Sequence, residues 1–237
     1  NLEKLDASNN KKITNVNHLE KLEILDASGN YCGISDAGIV QCINLKSLYA
    51  SNNQEITNVN QLENLELLDA SENCGIDDAG IAKCINLETL NVSNNQEITN
   101  VNHLVKLEII DVSRFCGIND AGIMHCINLK SLNVSNNSEI TNINHLVKLE
   151  KLGASYDCGI NDAGIMLCIN LKSLNASYNS KIINVNHLAN LEELYAKGDC
   201  GINDAGIVQC INLKSLNAAY NEKITNVNHL VKLEKLN

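Results

Sequence analysis

At 237 residues, with a formal net charge of −10 and a pI near 5.0, the chain lacks the basic face that phosphate backbones demand, so nucleic acid is not an expected partner. Hydrophobic residues make up 44 %, yet only six Tyr and one Phe are aromatic and there is no Trp, so any core is aliphatic. No run approaches the roughly 18 apolar residues of a membrane span, and no basic stretch followed by an apolar one opens the chain as a secretory signal would.

From Leu2 onward the chain repeats. A Leu-x-x-Leu begins at Leu2, Leu22, Leu45, Leu65, Leu87, Leu107, Leu129, Leu149, Leu171, Leu191 and Leu213, and a twelfth unit starts at Leu233 and is cut off. After the first two units the spacing alternates between 20 and 22 residues, so a short and a long unit form one period. The 23-residue unit at Leu22 is the exception and carries Tyr31 as an insertion before Cys32. Residues 1–237 are expected to form a single repeat domain of eleven complete units and a partial one. With neither end capped, that domain is expected to be a fragment of something longer.

Inside each unit the pattern reads as a strand followed by a turn. In Leu129-Lys-Ser-Leu-Asn-Val-Ser, Leu132 and Val134 alternate with Ser131, Asn133 and Ser135, the period of two of a half-buried strand. About 20 residues per unit leave no room for a full crossover helix, so coils stack and align a parallel sheet along one side. Asn10, Asn53, Asn95, Asn137, Asn179 and Asn221 hold the ninth position of the short units. An Asn amide satisfies backbone groups in a bend without regular hydrogen bonds, so a buried, hydrogen-bonded ladder is expected. In the long units Asp78 or Asp120 is placed to cap one helical turn, and a short helix is expected over 78–83. The short units should return by a looser 3₁₀ or extended arm.

The short unit, Leu-x-x-Leu-x-Ala/Val-Ser-x-Asn-x-x-Ile-Thr-Asn-Val-Asn-His-Leu at 87–104, and the long unit, with Cys-Gly-Ile-x-Asp-Ala-Gly-Ile-x-x-Cys at 74–84, both resemble the leucine-rich repeat family. The long unit is similar to its cysteine-containing subtype and the short one to its compact bacterial kind. The sixth position departs from the family's Leu, holding Ala or Val instead. Repeat pattern and resemblance give an α/β solenoid: a right-handed, gently curved array with one parallel sheet on its concave face and short helical or 3₁₀ turns on its convex face. The resemblance implies protein recognition, and the cysteine-containing subtype implies a substrate-recognition arm of a larger protein such as a ubiquitin ligase.

Ten cysteines could suggest disulfides, but their placement argues otherwise. Like cysteines recur every second coil, roughly 9–10 Å apart at strand spacing, beyond the roughly 7 Å that a disulfide allows. All ten are expected to be reduced, buried and metal-free, and many free thiols suggest a reducing compartment. His18, His103, His145, His187 and His229 form a second column, expected to be solvated. From Glu108 the second position alternates Lys130, Glu150, Lys172, Glu192, Lys214 and Glu234, which favours register and solubility. No Gly-x-Ser-x-Gly, phosphate-cradling Gly loop or His-Glu-x-x-His is present, so no catalytic set, cofactor or enzyme activity is expected.

Differences between near-identical units point to the partner-binding surface. Variation gathers at the fifth and seventh to ninth positions, on the exposed sheet face and its rim. There Tyr49, Arg114, Phe115, Tyr156, Tyr178, Tyr195 and Tyr220 form the candidate protein-binding set, because Tyr and Arg bury much area at low entropic cost. The expected function is a non-catalytic protein-interaction module. The alternative is a structural array that self-associates end to end through its uncapped coils. Asn91, Asn133, Asn136 and Asn175 begin Asn-x-Ser sequons whose glycosylation would cover that surface, so a cytoplasmic setting is expected.

Overall fold

The computed structural model describes residues 2–237. Two compact units divide them, one ending at Cys126 and the other running over Ile127–Asn237. The first contains strands β1 (Lys4–Asp6), β2 (Ile24–Asp26), β3 (Ser47–Tyr49), β4 (Leu67–Asp69), β5 (Thr89–Asn91) and β6 (Ile109–Asp111). The second contains β7 (Ser131–Asn133), β8 (Lys151–Gly153), β9 (Ser173–Asn175), β10 (Glu193–Tyr195), β11 (Ser215–Asn217) and β12 (Lys235–Leu236). Within each unit every strand pairs in parallel with the next one in chain order, and like positions face each other: Leu5 beside Leu25, Leu90 beside Ile110, Leu174 beside Leu194.

That register follows from the alternation. In the inner strands of each unit the middle residue, such as Leu48, Leu68 or Leu174, is fully buried, and a one-residue slip would expose all of them. Behind the sheet the core is a stack of Leu, Ile, Val and Ala, with the narrow sixth position filled by Ala50, Ala70, Val92, Ala154 and Ala176. All ten cysteines are free and buried. The second cysteine of a long unit donates its thiol to a carbonyl of the coil before it, as Cys84 does to Val59 O and Cys168 to Ile143 O, at 3.6 and 3.5 Å.

The asparagine ladder runs through backbone rather than from amide to amide. Asn95, 2 % exposed, donates to Ala70 O and Ile76 O of the preceding coil at 2.8 and 3.1 Å, while its oxygen accepts from the amides of Glu97 and Ile98 in its own bend. Asn53, Asn179 and Asn221 donate to the preceding coil in the same way. Asn10 is exposed.

Three expectations need correction. No helix forms over 78–83, which are turns. The single α-helical turn is α1 (Asp36–Ile39), and Asp120–Ile123, Ala163–Ile165 and Asp204–Ile207 are 3₁₀. The expected capping Asp binds the next coil instead, whether or not a helical turn forms: Asp78 accepts from Thr99 N, Thr99 Oγ1 and Asn100 N, and Asp36 of α1 accepts from Thr57 and Asn58 in the same way. The local cap falls to the residue before it, as when Asn119 accepts from Ala121 N and Gly122 N. Nor are the histidines uniformly solvated. His103, His187 and His229 are part-buried, with Nε2 against Ile81 O, Ile165 O and Ile207 O at 3.1, 3.2 and 3.2 Å. Finally, the seventh position is not part of the exposed surface, since Ser71, Ser113 and Ser155 are buried.

Candidate protein-binding face

The exposed sheet face is made by the third and fifth residues of each repeat. In the first unit the fifth residues are Asp6, Asp26, Tyr49, Asp69, Asn91 and Asp111; in the second they are Asn133, Gly153, Asn175, Tyr195 and Asn217. An acceptor oxygen here is tied to the residue two further on. Asp26 Oδ1 accepts from Ser28 N at 2.9 Å, Asp69 Oδ1 from Ser71 N at 3.0 Å and Asn175 Oδ1 from Ser177 N at 3.1 Å. At Asp6 the Ser8 hydroxyl and amide hold the carboxyl below its ordinary value. These turns carry the chain from the strand to the rim.

At the rim a backbone feature recurs that the side-chain pattern alone did not reveal. The eighth residue of every complete repeat has positive φ, from Asn9 (53°) and Asn52 (61°) to Tyr178 (61°) and Tyr220 (64°). Asn9, Asn52, Asn94 and Asn136, with Gly29 and Gly198, suit that left-handed corner. Glu72, Arg114, Tyr156, Tyr178 and Tyr220 do not. A side chain other than Gly or Asn held there costs about 1 kcal/mol or more. The recurring Asn or Gly, two residues after the Ala/Val, was the signal that marks this corner in the sequence.

The seven candidate residues therefore separate by position. Arg114, Tyr156, Tyr178 and Tyr220 stand at left-handed corners. Tyr49 and Tyr195 end β3 and β10 on the sheet face. Phe115 follows Arg114 and is 76 % exposed. In the first unit Arg114 is not available alone: its Nη1 lies 2.8 Å from Glu72 Oε1, while Asn94 Nδ2 donates to Glu72 Oε2 at 2.9 Å. Three successive corners are thus linked into a polar clasp.

In the second unit the corners are aromatic. Tyr156 and Tyr178 stack with ring centroids 5.1 Å apart and planes 11° from parallel. Gly198 has no side chain for the next corner, and a Cβ there would fall 2.2 Å from Tyr178 Cε1, so the missing side chain is the space the Tyr178 ring uses. Tyr220 is 88 % exposed. The structure thus places Tyr156, Tyr178, Tyr195 and Tyr220 in one unit, and Tyr49, Arg114 and Phe115 in the other.

Charge is divided in the same way. The first unit carries 18 carboxylate residues against 8 basic ones, and the second carries 10 of each, so the net charge of −10 belongs to the first unit alone. In the second unit the expected alternation forms real pairs, Lys172 with Glu150 at 2.9 Å and Lys214 with Glu192 at 2.8 Å. They are half-exposed and contribute mainly to register.

Comparison with protein-family models and with curated proteins gives no match. Among solved structures, an internalin (inlF) of Listeria monocytogenes superposes with a TM-score of 0.63 at 18 % identity, over 99 % of this chain and 86 % of its own. A TLR13–ssRNA complex matches with a TM-score of 0.63 at 20 % identity, over 91 % of this chain but only 39 % of its own. The functional domain of InlJ from Listeria monocytogenes, described as including a cysteine ladder, matches at 0.54 and 17 % identity, over 99 % of this chain and 59 % of its own. At such identities the likeness establishes the fold, which is that of a leucine-rich-repeat solenoid.

Proposed function

We propose that the chain is a non-catalytic protein-interaction module that engages its partner through the rim and exposed sheet face of the tyrosine-bearing unit. The observation that carries this reading is the occupancy of the eighth position. Six repeats fill the left-handed corner with Asn or Gly, whereas Tyr156, Tyr178 and Tyr220 stand there at a conformational cost. Tyr220 is 88 % exposed, so packing does not require its ring, and exposed tyrosines in a rigid frame suit a binding surface. Chemistry is not assigned to the chain. Its thiols are buried and pushed up in pKa, and serine hydroxyls on the sheet pair with each other, as Ser155 does with Ser135 at 2.8 Å. We further propose that residues 1–237 act as one repeat domain and that it works in the cytoplasm, where sequons on the sheet face stay unmodified.

The test is a selection of random dodecapeptides on the immobilised full chain, followed by titration of the best binder against Tyr156→Asn/Tyr178→Asn/Tyr220→Asn. Asn is the residue other repeats use at this corner, so folding is retained. The reading predicts at least about a tenfold loss of affinity. Affinity unchanged within about twofold would assign binding to another surface. A second reading, self-association through the exposed Leu2 and Leu236 (45 % and 55 %), predicts oligomers that grow with concentration in sedimentation equilibrium.

A further inference from the structure

The sheet face of the second unit has a hollow of about 230 Å³, and its cause is one residue. Gly153 ends β8 at the fifth position, where the neighbouring strands place Asn133 and Asn175 in register beside it. Bare backbone therefore floors a depression walled by Asn133, Asn175, Ser173, Lys151 and Tyr195.

The lining is rich in hydrogen-bond donors and carries positive charge. The side-chain oxygen of Asn175 already accepts from the amide of Ser177 at 3.1 Å, so Asn175 offers its amide nitrogen to a ligand. Ser173 adds a hydroxyl and Tyr195 a ring with a phenol. Lys151 makes no ion pair among the described residues, and the adjacent Glu150 is paired with Lys172 at 2.9 Å. No carboxylate lines the hollow. Four of the six corresponding positions of the first unit are Asp (Asp6, Asp26, Asp69 and Asp111), which repel an anion; the other two are Tyr49 and Asn91.

We propose that the Gly153 hollow receives an Asp or Glu side chain from an extended segment of the partner protein, its carboxylate against the Lys151 ammonium and the Asn175 amide. The proposal rests on the reading of this unit as the partner-binding face, and it adds the chemistry the partner must present. Charge complementarity selects the occupant: an acidic side chain finds a cationic, donor-lined depression here, in the unit with no net charge, and is turned away from the acidic one.

Dodecapeptides selected on the full chain provide the probe. The selected sequences should share an Asp or Glu at a fixed place, and its replacement by Asn or Gln should weaken binding about tenfold. Lys151→Gln, at an exposed residue that leaves folding intact, should cost the same factor. The two changes together should cost little more than either alone, as expected of groups that touch. Gly153→Val, whose Cβ would fall 2.6 Å from Asn133 Oδ1 and push that side chain into the hollow, should reduce binding further. Equal affinity of Lys151→Gln and wild type, or selected sequences without a shared acidic residue, would overturn the hollow. If Tyr178→Asn still weakened the same peptide, the rim reading would survive that failure. If neither variant changed affinity, both would fall.

Discussion

Tyr220 shows most plainly what the rim asks of a residue. Its φ is 64° and it is 88 % exposed, so strain is present with no packing to offset it. Tyr220→Asn should leave stability unchanged or raise it by up to about 1 kcal/mol, read as a shift in the urea midpoint. A loss of stability would show that the ring supports the fold and would remove the argument from strain to binding. Tyr156 and Tyr178 are less clean tests, because their stacking at 5.1 Å contributes about 0.5–1.5 kcal/mol in the opposite sense. Sequence alone placed these tyrosines among the variable positions but could not rank them. Arg114 and Tyr156 occupy equivalent corners, yet only the folded structure shows that Glu72 holds the first in a clasp and that the second stacks. Likewise Gly153 reads in sequence as one more variable letter. It becomes a depression only when the register sets Asn133 and Asn175 beside it.

The cysteine columns make the strongest prediction about how the coils respond to pH. Burial pushes the thiols of Cys74, Cys84, Cys116, Cys126, Cys158, Cys168 and Cys210 up to about 11 from an ordinary 9.0. A thiol is neutral when protonated, so the folded chain holds its protons to higher pH than the unfolded chain does. Stability is therefore fully present below pH 9 and lost as pH rises from about 9 to about 11. The urea midpoint should be level around neutrality and fall steeply across that window, with no reaction of the thiols with Ellman's reagent until the chain unfolds. A midpoint flat through pH 11, or thiols that titrate in the native state, would contradict the buried, unpaired placement. Strands and cysteines could be read in advance because a period of two and a fixed spacing are local signals. The outer turns could not. Asp78 has the composition of a helix cap, but the next coil supplies three donors to it, from Thr99 and Asn100. A contact made some twenty residues away takes the carboxylate that local composition assigns to the cap, at Asp36 of α1 as well as at Asp78.

Across the whole chain, two differences between the units coincide. One unit carries the entire net charge and the polar clasp at Glu72 and Arg114; the other is neutral and carries the stacked tyrosines and the hollow. The composition of the full sequence conceals this, since a net charge of −10 over 237 residues suggests a uniformly acidic surface. The partner proposed for the second unit presents an acidic residue to the hollow and packs beside the exposed tyrosines. Amide hydrogen exchange of the unmodified full chain, with and without a selected dodecapeptide, tests that placement most directly. The account predicts slowed exchange over 153–157, 175–178 and 195–198, with the outer turns at 162–167 and 204–209 unchanged. Protection confined to those outer turns, or to the strands of the acidic unit, would contradict it.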